Sequence, residues 1–182
     1  PVIGRPKSAT FRTVAVVGLD TLVHVANGIY ENCPTDEQHE LFKLPEFVNK
    51  MMENKWLGSK TGQGFYKKVD KDILSLDLDT LEYRPAKRAS FATLELTKTI
   101  DKPINRFKVL VKGKDKAGEF YRKSFSSMFA YVSNRIPEIS DELYKIDDAM
   151  KAGFGWENGP FEIWDAIGVE KGIELMKAEG YE

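Results

Sequence analysis

The sequence predicts an all-α fold. Apolar residues recur three and four positions apart in most of the chain, as in LVHVANGI at positions 22–29, and this spacing is typical of helices. A helix–glycine–helix pattern occurs near each end of the chain. Strands and helices do not alternate anywhere, which argues against a Rossmann-type sheet.

The first predicted elements are two helices over positions 10–30. They meet at Gly18, and Asp20 is the expected cap of the second helix. The polar stretch at positions 31–43 predicts a loop. Pro45 then suits the first turn of a helix that runs to about Lys55.

Positions 67–104 predict an extended linker rather than a helix. Alternating apolar residues in DILSLDLDTLEY are interrupted by aspartates and followed by Pro85. We therefore expect this segment to lie against a surface, with room for a short strand. FATLELTKTI, at positions 91–100, predicts a further helix that stops before Pro103.

Helices return from position 105 onward. A short amphipathic piece at 105–115 precedes a long helix at 116–136. Pro137 is expected to open the next helix, which ends at Gly153. A final pair of short helices completes the chain.

The first and last helix pairs are similar to each other. When Gly18 is set against Gly168, FRTVAVVGLD and FEIWDAIGVE align without gaps. We interpret the match as an internal duplication, although helical periodicity alone can produce such a likeness. The chain then divides into the rear part of a first helical repeat (1–66), the extended linker (67–104) and the front part of a second repeat (105–182).

The loop WLGSKTGQGFYKK, positions 56–68, holds three glycines, a lysine and a threonine, as a phosphate-binding loop does. A Walker loop requires glycine directly before the lysine, but Ser59 precedes Lys60. A dinucleotide fingerprint requires a third glycine where Lys67 stands, and a strand before the loop. We therefore interpret the glycines as structural, with Gly58 in the left-handed conformation that ends a helix.

Composition excludes several classes of protein. The net charge of −1 gives no electrostatic reason to expect nucleic acid or an anionic membrane as a partner. No apolar run approaches the length of a membrane span, and no signal peptide pattern is present. The single cysteine, Cys33, fits a reducing, cytoplasmic location. The sequence begins at Pro1 and not at methionine, so we expect a fragment of a longer protein.

Few residues show a pattern typical of catalysis or of metal binding. His24 can pair with Asp20 on one helix face, but no nucleophile accompanies it, so we interpret it as structural. Cys33, Asp36 and His39 share one loop without matching a zinc pattern. We therefore predict no catalytic residue and no metal ligand in this chain.

The segment GRPKSATFR, positions 4–12, holds the candidate binding residues. Arg5 and Lys7, with Arg12, lie beside a predicted helix start, where positive charge and backbone N–H groups can hold a phosphate or carboxylate. Surface solubility explains the same cations without a ligand. A series of acidic residues predicts a solvated helix face: Glu138, Asp141, Glu142, Asp147 and Asp148.

Longer strings resemble one known family. GRPKSATFRTVAVVGLDTLVHV, ENKWLGSKTGQGFYKK and YVSNRIPEISDELYKIDDAMKAGFGWENGPFEIWDAIG are similar to the C-terminal part of 3-hydroxyacyl-CoA dehydrogenase. They resemble in particular its two-repeat form, to which an enoyl-CoA hydratase domain is often fused. The resemblance covers nearly the whole chain. It implies helical repeats like the C-terminal domain of 6-phosphogluconate dehydrogenase.

The resemblance further implies part of an NAD-dependent oxidoreductase of fatty acid β-oxidation. In the family, NAD and a catalytic histidine–glutamate pair belong to an N-terminal Rossmann domain, which no segment of this chain matches. The helical domain closes over the acyl-CoA substrate and supplies a dimerisation surface. The implied partners are therefore the chain's own Rossmann domain, acyl-CoA, a second copy and a fused hydratase. We expect no cofactor in this chain and no turnover by the chain alone.

The family also has an N-R pair whose asparagine helps to bind substrate. Asn134-Arg135 matches this pair within the second repeat, so Asn134 joins Arg5 and Lys7 as a predicted substrate-binding residue. A different hypothesis is an independent helical interaction module that keeps the scaffold without the chemistry. A third is a self-contained hydrolase that uses His24 or Cys33.

Overall fold

A computed structural model describes residues 2–6, 9–87 and 89–181. The described part is mostly helical with one small sheet, which confirms the predicted helical class. The chain forms two compact units: the first unit is Ser8–Arg88, and the second unit combines Ala89–Glu182 with Pro1–Lys7. The sequence analysis divided the chain into helical repeats at positions 66 and 104. Compact units are a different kind of division, so the predicted repeat boundaries stay a prediction.

The first unit begins with the two predicted helices. Helix α1 spans Thr10–Val17 and α2 spans Leu19–Asn32, and they meet at Gly18. A 3₁₀ turn at His39–Phe42 and helix α3, Glu46–Glu53, follow. No single helix among the described residues is long and apolar enough to cross a membrane; only α1 and α2 taken as a pair are, and they are bent by 104°.

The predicted linker contains a three-stranded antiparallel sheet within the first unit. Strand β1 spans Tyr66–Val69, β2 spans Asp72–Leu76 and β3 spans Tyr83–Pro85, in that order across the sheet. Asp70 takes a positive φ of 53° in the tight turn between β1 and β2, and Pro85 lies at the end of a strand. The residues that interrupt the sequence pattern are therefore turn and edge residues.

Asp77 shapes the second turn of this sheet. Its carboxylate accepts the N–H groups of Asp79 and Thr80 at 3.1 and 3.3 Å and the Arg84 guanidinium at 2.7 Å. The bond to Arg84 is the main reason why the pKa of Asp77 is lowered. An aspartate that looked like a strand breaker thus stabilises the hairpin.

The core of the first unit lies between the helices and the sheet. Its buried side chains come from α1, α2, α3, the loop after α3 and β2: Val14, Leu19, Val48, Met51, Phe65 and Leu76. The sheet therefore belongs to the same hydrophobic core as the helices that precede it in sequence.

The described residues of the second unit form helices joined by turns and loops, without a strand. The helices are α4 (Ala92–Thr97), α5 (Phe107–Lys112), α6 (Lys116–Asn134), α7 (Leu143–Phe154), α8 (Pro160–Ile167) and α9 (Val169–Ala178). Their shared core is formed by eight buried residues: Phe107, Leu110, Val111, Phe125, Phe129, Ile163, Ile167 and Leu175. Residues 2–6 also pack here, since Glu157 N–H donates to the Gly4 carbonyl at 2.8 Å.

Asp115 caps the long helix α6. Its carboxylate accepts the Gly118 N–H at 3.0 Å, as expected for an N-cap, and also the N–H and hydroxyl of Thr93 at 2.9 and 2.7 Å. These bonds, those from Thr93 first, lower the pKa of Asp115 to about 2. One carboxylate thereby joins the start of α4 to the start of α6.

Helix α7 begins later than the sequence predicted. It starts at Leu143 rather than at Pro137, and residues 135–142 form turns in which Ser140 bonds to the backbone of Glu142. The competition of a serine side chain for backbone groups explains the late start. The helix ends at Phe154, one residue beyond the predicted Gly153, and Gly155 follows with a left-handed φ of 63°.

The two helix–glycine–helix segments have the same local geometry. Gly18 has φ 112° and ψ 135°, and Gly168 has φ 107° and ψ 130°. Each preceding helix has eight residues, and each glycine N–H donates to the carbonyl four positions earlier. We call these segments the first elbow (α1–Gly18–α2) and the second elbow (α8–Gly168–α9).

Candidate functional site

A groove of about 650 Å³ opens on the surface of the first unit. Helix α1 forms one wall, strands β1 and β2 form another, and the loop at 58–62 closes one end. The lining is mostly apolar, with Ala15, Val16 and Ile73 among its residues, and Val16 and Ile73 are 71% and 66% exposed. Such an exposed apolar recess is typical of a binding surface.

Two cations lie at this groove. Arg12 comes from α1 and Lys68 from β1, and both side chains are exposed. Among the described residues neither forms an ion pair, whereas Lys60 nearby in sequence is bound to Asp20. The groove therefore combines apolar walls with positive charge, which suits an amphipathic anion.

The glycine loop that closes the groove is fixed by close backbone contacts. Gly58 has φ 119° and ψ −146°, and an added Cβ there would collide with the carbonyl group of Ala15 in α1. The Thr61 hydroxyl also accepts the Leu57 N–H at 3.1 Å. These glycines therefore have a structural role, as the sequence predicted, but Gly58 does not end helix α3. Helix α3 ends at Glu53, and Lys55 takes the left-handed φ of 57°.

The ion pair between Lys60 and Asp20 ties the loop to α2. Lys60 Nζ donates a hydrogen bond to Asp20 Oδ2 at 2.6 Å and lies 2.5 Å from Oδ1, and this hydrogen bond is the main reason why the pKa of Asp20 is lowered. Asp20 does not form the expected side-chain cap, and its carboxylate pairs with Lys60 and not with His24. The two residues are 40 positions apart, so helical spacing could not reveal the pair.

The predicted binding residues take different roles. The Arg5 guanidinium lies 3.7 Å from the centre of the Trp156 ring, and its Nη2 donates to the Met128 sulfur at 3.8 Å. Burial lowers the Arg5 pKa. Asn134 is the last residue of α6 and is exposed, and Lys7 lies outside the described residues. Arg5 thus already stacks within the second unit, and the binding role of all three residues stays a prediction.

A second groove, of about 450 Å³, lies on the second unit beside Asp147 and Trp164. The prediction that Asp147 belongs to a solvated helix face is wrong, because this residue is only 5% exposed. Its carboxylate accepts the N–H groups of Phe161 and Glu162 at 2.8 and 3.1 Å, so it caps helix α8 from helix α7. Desolvation raises the Asp147 pKa in spite of these bonds.

The histidines and the cysteine do not form a reactive cluster in the described part of the chain. His39 lies 3.2 Å from a Glu40 oxygen and packs edge-on against Tyr30, with ring centres 4.5 Å apart. Asp36 accepts the Gln38 N–H at 2.8 Å. Across residues 2–6, 9–87 and 89–181, no three His, Cys, Asp or Glu side chains converge as metal ligands.

The described residues do not fit NAD. A dinucleotide site needs a parallel strand, then a glycine-rich turn, then a helix whose N-terminus faces the pyrophosphate. Here the glycine loop follows helix α3 and leads into strand β1. The sheet that the described residues form is a small antiparallel sheet of three consecutive strands. The described part therefore consists of two mostly helical units, each with one elbow, and its described residues do not form a Rossmann-type dinucleotide fold.

Comparisons with known proteins agree with this class. Residues 3–68 match the family "3-hydroxyacyl-CoA dehydrogenase, C-terminal domain". A probable 3-hydroxyacyl-CoA dehydrogenase of Bacillus subtilis is 46% identical over 99% of this chain and 23% of its own length. A probable 3-hydroxyacyl-CoA dehydrogenase of Deinococcus radiodurans is 47% identical over 38% of the chain and 19% of its own length.

A fatty acid oxidation complex subunit alpha of Psychrobacter cryohalolentis is 28% identical over 92% of the chain and 21% of its own length. The chain thus spans less than a quarter of each of these relatives. No solved structure matches the chain. Residues 3–68 thus match the C-terminal domain family of 3-hydroxyacyl-CoA dehydrogenase, and nearly the whole chain is similar to one part of a probable 3-hydroxyacyl-CoA dehydrogenase.

Proposed function

We propose that this chain is the helical substrate and assembly part of an NAD-dependent 3-hydroxyacyl-CoA dehydrogenase of fatty acid β-oxidation. The observation that carries the proposal is the 46% identity over 99% of the chain to a dehydrogenase-like protein of which the chain spans 23%. In this proposal NAD and the catalytic base lie in a dinucleotide-binding part of the same longer polypeptide.

In this proposal the groups that hydride transfer needs lie outside the chain. Oxidation at C3 of a 3-hydroxyacyl-CoA requires a held nicotinamide and a base that removes the hydroxyl proton. Asp20, the carboxylate one helical turn before His24, is paired with Lys60. The side chain of His39 is only 17% exposed and lies 3.2 Å from a Glu40 oxygen in a short turn. We therefore expect these histidines to be inactive as bases.

The isolated chain is expected to leave NADH unoxidised when acetoacetyl-CoA is added, since its described residues do not form a dinucleotide site. The measurement is the loss of NADH absorbance compared with buffer. The positive control is a chimera in which this chain replaces the matching segment of the Bacillus subtilis relative, and the chimera is expected to turn over. Turnover by the chain alone, or a folded but inactive chimera, would contradict the proposal.

We further propose that the groove of the first unit binds part of the acyl-CoA. Coenzyme A carries phosphates at one end and a long pantetheine arm, in which methylene and dimethyl groups alternate with two amides and a hydroxyl. Arg12 and Lys68 offer positive charge for a phosphate, while Val16 and Ile73 offer apolar contact for the arm. The match between ligand and groove in charge and polarity supports this assignment.

Replacement of both Arg12 and Lys68 by alanine is expected to weaken CoA binding about threefold to tenfold, because exposed charge pairs contribute less than about 1 kcal/mol each. Isothermal titration of CoA into the purified chain measures the change. The double variant Lys108→Ala and Lys112→Ala alters the net charge equally, but on the second unit. Equal weakening by both double variants, or no CoA binding at all, would remove the groove from the proposed function.

A further inference from the structure

Charge is unevenly distributed along the second unit. Positions 98–123 hold nine lysines and arginines but only three acidic residues, whereas positions 124–181 hold five lysines and arginines and eleven acidic residues. The two excesses cancel, so the net charge of −1 for the whole chain does not reveal the strongly basic segment. The low net charge gave no reason to expect an anionic partner, but a partner responds to the charge of the surface that it meets.

The basic segment forms a corner where helix α5 ends and helix α6 begins. Lys108 and Lys112 lie one turn apart on α5, Lys114 lies in the connection between the helices, and Lys116 is the first residue of α6. All four side chains are exposed. In the described part of the chain none of the four has an ion-pair partner. We call these four lysines the basic corner.

The other charged residues at this corner offset one another. Asp115 is held at the start of α6, and its pKa of about 2 keeps the carboxylate charged. The Arg122 guanidinium supplies one positive charge, and it donates to the backbone carbonyls at the end of α5. Glu119 pairs with Lys123 at 2.8 Å. The surplus of positive charge is therefore that of the basic corner itself.

An exposed aromatic side chain lies one helical turn from the basic corner. Phe120 follows Lys116 by four positions on α6, and this spacing places both side chains on one face of the helix. Phe120 is 62% exposed, whereas Phe125 and Phe129 of the same helix are buried in the core. An apolar ring that is exposed to water beside lysines is typical of a helix that lies at a membrane interface.

The chemistry of the basic corner fits a lipid surface better than a single, precisely held phosphate. Arginine can form paired bonds to one phosphate, but Arg106 and Arg122 donate to backbone carbonyls within the unit. Lysine is a point charge without a fixed bonding plane, which suits many mobile headgroups. An exposed phenylalanine gains most where it can leave water, at the boundary between the headgroups and the acyl chains.

We infer that the basic corner, together with Phe120, is a docking surface for the anionic headgroups of a lipid membrane. The lysines lie among the charged groups of the lipids, and the Phe120 ring enters the layer beneath them. Binding of this kind is peripheral and requires no membrane-spanning helix. The inference does not depend on the proposed function, because it holds whether or not the chain takes part in acyl-CoA oxidation.

Vesicle flotation with the purified chain tests the inference. The chain is expected to float with phosphatidylcholine vesicles that contain about 30% phosphatidylserine, and to stay behind with phosphatidylcholine alone. An increase in salt from about 0.1 M to about 0.5 M is expected to release the chain, because exposed charges are screened. Absence of binding to the anionic vesicles, or equal binding to the neutral ones, would overturn the inference.

Matched lysine variants locate the binding surface. The double variant Lys114→Ala and Lys116→Ala is expected to weaken binding to the anionic vesicles at least about fivefold, since one lysine near such a surface contributes about fivefold. The control is Lys171→Ala with Lys177→Ala, which removes the same charge from exposed positions on α9. Equal weakening by the two double variants would show that only net charge matters, and would refute the basic corner.

A phenylalanine variant separates insertion from attraction between charges. Phe120→Ala is expected to weaken binding to the anionic vesicles at least about threefold, because the ring no longer leaves water. Phe154→Ala is the control, since Phe154 is 64% exposed on α7, and it is expected to leave binding unchanged. Equal binding by the Phe120→Ala variant and the unaltered chain would contradict the inference.

Duplex DNA is the polyanion against which the lipid surface is compared. The chain is expected to bind the anionic vesicles more tightly than the duplex at the same salt concentration, because the duplex offers no apolar layer for Phe120. Tighter binding to the duplex, weakened by Lys114→Ala with Lys116→Ala, would assign the basic corner to nucleic acid and overturn the inference.

Discussion

Replacement of Gly58 by alanine is expected to destabilise the first unit by about 4 kcal/mol. The backbone there, at φ 119° and ψ −146°, lies in a region that only glycine occupies readily, and forcing another residue into it costs about 1–3 kcal/mol. The new Cβ would also collide with the Ala15 carbonyl, and such overpacking adds about 1–3 kcal/mol. The neighbour is backbone in a helix, so it cannot move aside as a flexible side chain can.

Gly62→Ala is the matched control in the same loop. Gly62 has a left-handed φ of 71°, but no atom lies within 4 Å of the position that a Cβ would take, so we expect a loss of about 1–2 kcal/mol. Hydrogen exchange of α1 and α3 measures the effect unit by unit, because a chain with two compact units need not unfold in a single transition. Similar effects of the two substitutions would show that Gly58 does not hold the loop against α1.

Replacement of Asp147 by alanine is expected to destabilise the second unit by about 3 kcal/mol. The substitution leaves the N–H groups of Phe161 and Glu162 without their acceptor at a buried helix start, and each unsatisfied buried donor costs about 1–3 kcal/mol. It also removes one polar connection between α7 and α8, while the ion pair between Lys151 and Glu162 remains. Hydrogen exchange of α8 and α9 is the direct measurement.

The adjacent residue provides the control for Asp147. Asp148 has an exposed carboxylate that pairs with Lys151 at 3.1 Å, and Asp148→Ala is expected to cost less than about 1 kcal/mol. Asp147→Asn should fall between these two, since an amide oxygen can still accept one of the two N–H groups. Equal losses for Asp147→Ala and Asp148→Ala would contradict the capping role.

Local patterns predicted the helices well. The two helices that meet at Gly18, the long helix before Asn134 and the last helix pair follow from apolar spacing within a few turns of chain. Even the likeness of the two elbows, detected as a short alignment, reappears as nearly equal backbone angles at Gly18 and Gly168. These features depend on residues that are close together in sequence, so the local sequence is enough to predict them.

Sequence patterns gave much less information about the candidate site. The groove beside Arg12 and Lys68 exists because strand β1 pairs with β2 and lies near helix α1. An extended linker, as predicted from the sequence, gave no reason to expect Lys68 and Arg12 at one site. Arg5 is the converse case. Its charge suggested an anion site, whereas the structure stacks its guanidinium on Trp156, a contact between residues that are remote in sequence.

The sequence by itself determined which segments are helical, where the chain bends at glycine, and which family the chain resembles, because each depends on short strings of residues. Only the tertiary structure decided that Asp147 caps α8, that Lys60 holds Asp20, and that Val17 and Val25 are exposed while Ile167 and Leu175 are buried. The physical reason is the same in each case. Burial, capping and ion pairing depend on what another segment places next to a residue, and similar local sequences can therefore meet different surroundings.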